Sequence, residues 1–418
     1  MTEYFYQRIF SKLANKSLGF LSNLLPQKKK LFPTMTYQFT KKDARRVYNL
    51  VLSGKLHHNF GKETELLEKE FAKYHHVEYA LATTTGTAAL ELALQVLGVV
   101  PGDEVIFPAH TSVATVQAVL AKGGVPVFAD IDTTFTISPE SVSQKITPRT
   151  KAIIAVHMFG NVCDMDLLTA LTRKKKIAVI EDCCQAVGAS YKGKKVGSIG
   201  DVGCFSFNAQ KSIFTGQGGM MITSKTKIGK ALKSAASQMR LLHANISSDI
   251  STFVHIHNMT EIQSALACNI LSQLNNLAAK RKTNFNYFLK RFRVLKTPFK
   301  IYRVLPGARP SYCRLVFMAD FSKLKVSRKK FIKSARLKGI PLKTFYPKPF
   351  YSYSLFQNKR DKLTGSLSPF IYNSKANYKN IKLPFSEIYS RQQFGLEFSP
   401  YLTFNHIDRL LTFFEDFS

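Results

Sequence analysis

The stretch that decides the fold runs from residue 178 to residue 211 and reads AVIEDCCQAVGASYKGKKVGSIGDVGCFSFNAQK. Two apolar runs, Ile177–Glu181 and Gly203–Phe207, have the length and composition of buried strands. The first run ends in two acidic residues, Glu181 and Asp182, and the second is followed by Lys211. Charged groups at the ends of buried strands are costly unless they are partnered, so this stretch predicts both a sheet and a site at its edge.

The same pattern extends outward on both sides of this stretch, from residue 77 to residue 224. Helical periodicity separates the apolar runs, and Asp164 is placed to cap one of the helices. The alternation predicts an α/β fold with a mostly parallel, seven-stranded sheet, covered by helices on both faces and binding its ligand at the carboxyl ends of the strands. The strands are predicted at Tyr79–Thr83, Glu104–Pro108, Val125–Asp130, Ala152–His157, Ile177–Glu181, Gly203–Phe207 and Gly219–Thr223, and helices between them at Thr87–Leu97, Ser112–Lys122 and Met165–Lys174.

The patterns in the flanking segments divide the chain into three predicted parts. Amphipathic helices are expected at 41–52 and 62–74, and a long helical stretch ends near residue 292. The remainder mixes short strands with helices, which is typical of a smaller α+β domain. The expected division is a basic amphipathic extension over 1–35, a large site-bearing domain over 36–290, and a small C-terminal α+β domain over 291–418.

Composition excludes several classes of protein. With 418 residues, 45% of them hydrophobic, 22 Gly and 16 Pro, the chain is neither disordered nor collagenous. Its six cysteines form neither a disulfide framework nor a zinc motif, which favours buried thiols in a reducing cytoplasm. His157, His255 and His257 have no partner at metal-ligand spacing in the sequence, so no metal site is expected.

The charge is strongly positive, with 60 Lys and Arg against 27 Asp and Glu, a net charge of +33. This surplus indicates either acidic partners, such as phosphorylated molecules or an anionic membrane, or a lysine-rich solvated surface; nucleic acid is the less favoured partner. No apolar run is long enough to span a membrane. The basic amphipathic pattern over Ile9–Leu25 fits a helix on the inner membrane face or one docked on its own protein. We therefore expect a cytoplasmic protein, with peripheral membrane contact as an alternative.

Three motifs could together carry chemistry. The sequence ATTTGTAAL at 82–90 predicts a strand, a turn and a helix N-terminus, which can hold a phosphate. Asp182 closes a strand, and Lys211 follows another strand beside a glycine-rich turn. A phosphate site, a strand-end carboxylate and a reactive lysine are the parts that pyridoxal phosphate needs. Neither a Walker-type loop nor a G-x-G-x-x-G dinucleotide motif occurs.

These motifs resemble those of the DegT/StrS family of pyridoxal-phosphate-dependent nucleotide-sugar aminotransferases, which have the aspartate-aminotransferase fold (fold type I). The resemblance runs from about residue 40 to the C-terminus. It rests on TGTAAL (85–90), PGDEV (101–105), IEDCCQA (180–186), GD (200–201), FSF (205–207) leading to Lys211, and TGQGGM (215–220).

The resemblance implies roles for individual residues. Lys211 would form the covalent bond to the cofactor, and Asp182 would hold the proton on its pyridine nitrogen. Gln185 would approach the phenolic oxygen of the cofactor. The phosphate would be held by Gly86, Thr87, Ala88 and Ser206. The implied reaction moves an amino group from an amino acid, expected to be glutamate, to a keto group of a nucleotide-linked sugar in amino-sugar or polysaccharide biosynthesis, and the implied assembly is a homodimer.

Three positions depart from the family pattern. Ser112 stands where many relatives have an aromatic residue that stacks on the cofactor, and Asn208 stands where His or Tyr is common. In the segment VHIHNM (254–259), Ile256 replaces an Asn that reaches the phosphate of the neighbouring subunit, and Asn258 is the nearest substitute. Two alternatives therefore stay open: another fold type I enzyme, such as a lyase or desulfurase using Cys183, Cys184 or Cys204, and a non-catalytic regulatory or nucleic-acid-binding relative.

Overall fold

The computed structural model describes residues 32–33, 38–241, 255, 257–362 and 377–417. The predicted amphipathic stretch Ile9–Leu25 and the departure at Ile256 lie outside these residues. Within the described part of the chain, every helix is too short or too polar to cross a membrane.

The first part of the chain alternates strands and helices as predicted. In chain order its elements are α1 (Lys41–Leu52), α2 (Glu63–His75), β1 (Tyr79–Thr83), α3 (Gly86–Val96), β2 (Glu104–Pro108), α4 (Val113–Ala121), β3 (Val125–Ala129), α5 (Pro139–Ser143), β4 (Thr150–Val156), α6 (Met165–Arg173), β5 (Ala178–Asp182), β6 (Ser190–Tyr191), β7 (Lys194–Lys195), β8 (Val202–Ser206), β9 (Gly219–Thr223), α7 (Thr226–Leu241) and α8 (Glu261–Phe292). The Asp164 side chain caps α6 by accepting a hydrogen bond from the Leu167 N–H, as expected.

The remaining elements are shorter. They are β10 (Lys300–Ile301), β11 (Ala308–Arg309), β12 (Arg314–Met318), α9 (Arg328–Leu337), α10 (Ser354–Asn358), α11 (Pro384–Gln392), β13 (Gln393–Glu397) and α12 (Phe404–Glu415).

The central sheet has seven strands in the order β1-β9-β8-β5-β4-β2-β3. Neighbouring strands are parallel from β8 to β3, whereas β9 runs antiparallel to both β8 and β1. Each predicted strand is present with its ends within two residues of the prediction. The mostly parallel α/β sheet is therefore confirmed, and the carboxyl ends of β1, β5 and β8 lie along one edge.

Apolar side chains of the sheet alternate between two cores. Ile180 and Cys204 face the core that contains α3 and α4, whereas Val179 and Phe205 face the core that contains α2 and the first half of α8. Residues two apart in a strand share a face, so consecutive residues at a strand end must point to opposite sides. This alternation decides where Glu181 and Asp182 point.

A second, smaller sheet of β10, β12 and β13 is antiparallel and has its own aromatic core. Phe317, Phe331, Phe394 and Phe414 are fully buried there, with ring centroids about 5–6 Å apart. The last turns of α8 pack into the same core through Phe288. The C-terminal part is thus α+β as predicted, and α8 links it to the central sheet.

Candidate active site

The N-terminus of α3 forms a cup at the carboxyl end of β1. Thr85 caps the helix, and its Oγ1 accepts a hydrogen bond of 3.0 Å from the Ala88 N–H. The N–H groups of Gly86 and Thr87 have no acceptor among the described residues. Two free donors and the positive end of the helix dipole make this cup suited to a phosphate. Ala88, predicted to share in phosphate binding, already uses its N–H within the cap.

Gly86 brings the cup into close contact with the end of β8. A Cβ atom at this position would lie 2.7 Å from Ser206 Cβ and 2.9 Å from Cys184 Sγ. Only a residue without a side chain lets the helix approach the strand so closely. Ser206, for which the family resemblance implies a contact with the phosphate, therefore lies beside this helix end.

The two carboxylates at the end of β5 separate onto opposite faces of the sheet. Asp182 is nearly buried, and its oxygens accept hydrogen bonds from Thr115 Oγ1 at 2.9 Å and from the Cys184 N–H at 3.1 Å. Hydrogen bonds to the charged form stabilise a carboxylate, and Asp182 faces the same core as α3 and α4. Asp182 is thus the carboxylate available to a ligand at the cup.

The Glu181 side chain has a structural role instead. Its side chain is fully buried and accepts hydrogen bonds from the backbone N–H groups of Gly197, Ile199 and Gly200 at 2.7–2.8 Å. His157 Nε2 lies 3.0 Å from Glu181 Oε2, while His157 Nδ1 accepts from the Cys163 N–H. Burial acts to lower the pKa of His157, but its contacts with Cys163 and Glu181 outweigh burial and raise that pKa to about 10. His157 therefore has a partner that sequence spacing did not reveal.

Lys211 lies half-buried in the loop between β8 and β9. This loop is closed by the Phe207 N–H, which donates to the Gly218 carbonyl at 2.8 Å, and by the Thr215 N–H, which donates back to the Phe207 carbonyl. The next residue, Ser212, accepts a hydrogen bond from the buried Arg281 at 3.1 Å. The loop that carries Lys211 is thus anchored on both sides of the lysine.

The thiols near the cup are protonated. Burial raises the pKa of Cys184 well above its usual value, the Asp182 carboxylate raises it further, and the Lys211 ammonium opposes the rise. Lys211 is therefore close enough to Cys184 to act on its thiol electrostatically. Burial also raises the pKa values of Cys183 and Cys204. Because a desulfurase needs a thiolate nucleophile, these environments disfavour that alternative.

Gln185 is held by residues that sequence reasoning missed. Its Oε1 accepts hydrogen bonds from Arg314 Nη1 at 2.7 Å and from the Phe159 N–H at 3.1 Å. Its Nε2 donates to the Tyr346 hydroxyl at 3.2 Å. The amide is therefore fixed in one orientation by protein groups, and its expected contact with the cofactor stays a prediction. The one signal in the sequence was the charge of Arg314 beside the apolar run Leu315–Phe317.

Aromatic side chains gather near Ser112, the position that lacks the family's aromatic residue. Ser112 is the N-cap of α4, and its Oγ accepts from the Ala114 N–H. The Tyr346 ring lies 5.6 Å from that of the buried His110, two residues before Ser112. Burial lowers the pKa of His110 to about 4, so this imidazole is neutral at physiological pH. Asn208, the other described departure, donates from Nδ2 to Gln217 in the lysine loop.

Comparison with known proteins decides the family. Residues 38–387 match the model of the DegT/DnrJ/EryC1/StrS aminotransferase family. The chain belongs to this family. It is 37% identical over 288 residues to the GDP-perosamine synthase of Caulobacter vibrioides, which covers 67% of the chain and 75% of that relative.

Two further matches bear on the reaction. The chain is 45% identical over 175 residues to the UDP-N-acetyl-3-dehydro-alpha-D-glucosamine 3-aminotransferase of Acidithiobacillus ferrooxidans, covering 41% of the chain and 47% of that relative. A sugar aminotransferase structure from Streptococcus pneumoniae, described as putative and as the PLP form, superposes with a TM-score of 0.77 at 26% identity, over 92% of the chain and 98% of that protein. The predicted aminotransferase fold and the enzyme class are confirmed.

Proposed function

We propose that this member of the family is a pyridoxal-phosphate-dependent aminotransferase that acts on a keto group of a nucleotide-linked sugar. One observation carries the proposal: the Gly86–Thr87 helix end, the Ser206 hydroxyl, the Asp182 carboxylate and the Lys211 loop meet at one edge of the sheet. The cofactor's phosphate would bind at the helix end and Ser206, its ring nitrogen at Asp182 and its aldehyde at Lys211.

The residues at the cup fit the phosphate end of the cofactor. Two N–H groups without acceptors, at Gly86 and Thr87, would donate to phosphate oxygens, and Ser206 would add its hydroxyl. Because Gly86 has no side chain, the cup stays open to a phosphate. Ala88 contributes through the helix end rather than through its own N–H, which Thr85 already binds.

Asp182 and Lys211 would divide the proton chemistry between them. When bound, pyridoxal phosphate supplies an electron-accepting ring for the substrate carbon that loses a proton. Asp182, which accepts hydrogen bonds from Thr115 Oγ1 and the Cys184 N–H, would hold a proton on the ring nitrogen. Lys211 Nζ would move the substrate proton as general base and then as general acid.

The substrate class comes from the relatives. The names of the two curated relatives above refer to a GDP-linked and a UDP-linked sugar. We therefore infer a nucleotide-diphosphate-linked ketosugar as acceptor, with glutamate as the expected amino donor. The strongly basic surface would also attract such anionic substrates.

Lys211→Ala tests the lysine assignment, with the exposed Lys194→Ala as a matched control. Each protein is incubated with pyridoxal phosphate, reduced with borohydride and mapped by peptide mass spectrometry. In both the parent and Lys194→Ala, we expect the pyridoxyl mass on Lys211 and on no other lysine. Lys211→Ala should fold normally, carry no label and show no transamination. Label on another lysine, or activity in Lys211→Ala, would refute the assignment.

We further propose a homodimer, on the basis of family membership and the apolar positions of α8 that follow Met259. Light scattering at assay concentrations should give twice the mass of one chain, and a monomeric mass in active protein would contradict the dimer.

A peripheral membrane contact through residues 1–35 is a separate proposal, based on their basic amphipathic pattern and the net charge of +33. Removing these residues should reduce co-sedimentation with anionic vesicles and leave transaminase activity unchanged. Equal sedimentation of the two proteins would exclude this role for the segment.

A further inference from the structure

Tyr346 reaches the ligand-binding edge of the central sheet from the C-terminal part of the chain. Its ring centroid lies 5.6 Å from that of His110 and 6.0 Å from that of Phe159, and its hydroxyl lies 3.2 Å from Gln185 Nε2. These three residues follow the carboxyl ends of β2, β4 and β5, where a sheet of this kind binds its ligand. The tyrosine hydroxyl is therefore placed at the candidate site.

The backbone holds Tyr346 in an uncommon conformation. Its φ is 37°, in the left-handed region that bulky residues rarely occupy. Four residues later, the Phe350 N–H donates to the Ala109 carbonyl at 2.9 Å and fixes the segment against the end of β2. Strain of this kind persists only where the surrounding structure imposes it, and it is concentrated at functional sites. The conformation thus indicates a tyrosine that the fold holds in place.

The hydrogen bonds around the Gln185 amide can run in only one direction. Arg314 Nη1 and the Phe159 N–H can only donate, so the Gln185 atom that they contact must be the carbonyl oxygen, Oε1. The other end of the amide is then Nε2, which can only donate. The Tyr346 hydroxyl therefore accepts a hydrogen bond from Gln185.

This direction leaves the hydrogen of the Tyr346 hydroxyl without an acceptor in the part of the chain that the structure describes. Gln185 Nε2 and the Arg314 guanidinium both act on the hydroxyl oxygen, and neither has a lone pair with which to accept. A hydroxyl that already accepts is polarised to donate in turn, and a charged oxygen is the acceptor that gains most from it.

We propose that Tyr346 donates a hydrogen bond from its hydroxyl to an anionic oxygen of the molecule bound at the cup. The inference rests on the proposed function, in which Gln185 lies beside the phenolic oxygen of pyridoxal phosphate. Gln185 and Arg314 act as positioning residues, because they set which way the hydroxyl hydrogen points. Two oxygens have the required chemistry, namely the phenolic oxygen of the cofactor and the carboxylate of the amino donor.

Tyr346→Phe removes the hydroxyl and keeps the ring that lies beside His110 and Phe159. Tyr287→Phe is the matched control, because it loses a hydroxyl that donates to Asp408 beside the C-terminal aromatic core. Each full-length protein is titrated with pyridoxal phosphate, and the loaded protein is then titrated with glutamate, both followed by absorbance. Loss of a hydrogen bond to a charged oxygen should weaken binding by about tenfold or more.

The titration that changes identifies the acceptor. Weaker binding of pyridoxal phosphate to Tyr346→Phe assigns the phenolic oxygen, and weaker binding of glutamate alone assigns the donor carboxylate, while Tyr287→Phe should match the parent in both. Unchanged binding of both molecules to Tyr346→Phe would overturn the inference and leave the proposed function intact. A parent protein that does not bind pyridoxal phosphate would refute the proposed function itself, and this inference with it.

Gln185→Glu tests the direction of the network while the tyrosine stays in place. A carboxylate accepts from Arg314 but has no hydrogen to donate, so the Tyr346 hydroxyl would turn its hydrogen toward the carboxylate and away from the ligand. Gln185→Glu should weaken binding at least as much as Tyr346→Phe, and the double variant should lose no more than Gln185→Glu alone. Parent-like binding in Gln185→Glu, or losses that multiply in the double variant, would overturn the inference. Circular dichroism of each variant excludes misfolding as the cause of lost binding.

Discussion

Replacing Gly86 with alanine adds a single methyl group at the most crowded point of the cup. The new Cβ would lie 2.7 Å from Ser206 Cβ, 2.9 Å from Cys184 Sγ and 3.2 Å from Ser206 Cα. Ser206 ends a central strand, so neither its Cα nor its Cβ can move away cheaply. The helix N-terminus must therefore shift away from β8.

Two effects of opposite sign decide how much Gly86→Ala changes the unfolding free energy. Alanine is favoured over glycine in a helix by at most about 1 kcal/mol. Forcing an extra methyl group into a well-packed site costs about 1–3 kcal/mol. Because the new methyl group would contact the Cα and Cβ atoms of Ser206, the cost here lies at the upper end of that range. The net loss in unfolding free energy is about 1–2 kcal/mol. The displaced N–H groups should also weaken binding of pyridoxal phosphate by about tenfold, as one lost hydrogen bond to a charged group predicts.

Urea unfolding of the cofactor-free protein and cofactor titration by absorbance measure the two effects separately. The double variant Gly86→Ala/Ser206→Gly removes the nearest contact and should recover part of the lost stability, so that the two changes are not additive. A Gly86→Ala protein as stable as the parent, with unchanged cofactor affinity, would show that the close approach of α3 to β8 does not form the cup.

Three further predictions follow from buried hydrogen bonds and titrating groups. Thr115→Val keeps the side-chain shape but removes the hydroxyl that donates to Asp182, and should lower kcat/KM for the amino donor about tenfold; unchanged kinetics would exclude Thr115 as a positioning residue. Glu181→Gln should lower the unfolding free energy in urea by about 2–3 kcal/mol, because three backbone donors lose a charged acceptor, with little change in cofactor affinity; a parent-like midpoint would contradict this. Burial lowers the pKa of His75 to about 3, so the unfolded state gains a proton that the folded state does not, and parent stability should fall as pH drops from about 6.5 toward 3. His75→Phe should reduce that slope by up to about 1.4 kcal/mol per pH unit, and an equal slope would show that His75 titrates normally.

The sequence predicted the local structure around the candidate site. Strand ends and the start of the helix beside Thr87 depend on short patterns, because apolar alternation and turn chemistry act over a few residues. The opposite orientations of Glu181 and Asp182 also follow from strand alternation alone.

Features that depend on distant contacts were not predictable in the same way. The antiparallel direction of β9 has no local signal, since a parallel and an antiparallel strand can have the same composition. Arg314 and Tyr346 reach Gln185 from the C-terminal part of the chain, where the charge of Arg314 beside an apolar run was the one local signal. Spacing along the sequence also could not show that His157 lies beside Glu181, or His255 and His257 near Glu91, because both glutamates are remote in sequence.

The position of β1 at the edge of the sheet has a consequence for how the protein folds. In the sheet β1 pairs with β9 alone, through contacts such as Thr83 with Gly219. During synthesis, β1 therefore cannot pair until the chain has been made as far as β9. Such non-local pairing is slow. The cup at the end of β1 is then assembled late. We expect nascent chains that stop before residue 219 to leave this strand edge unpaired and prone to aggregation, and the cofactor to capture only chains that have completed the sheet.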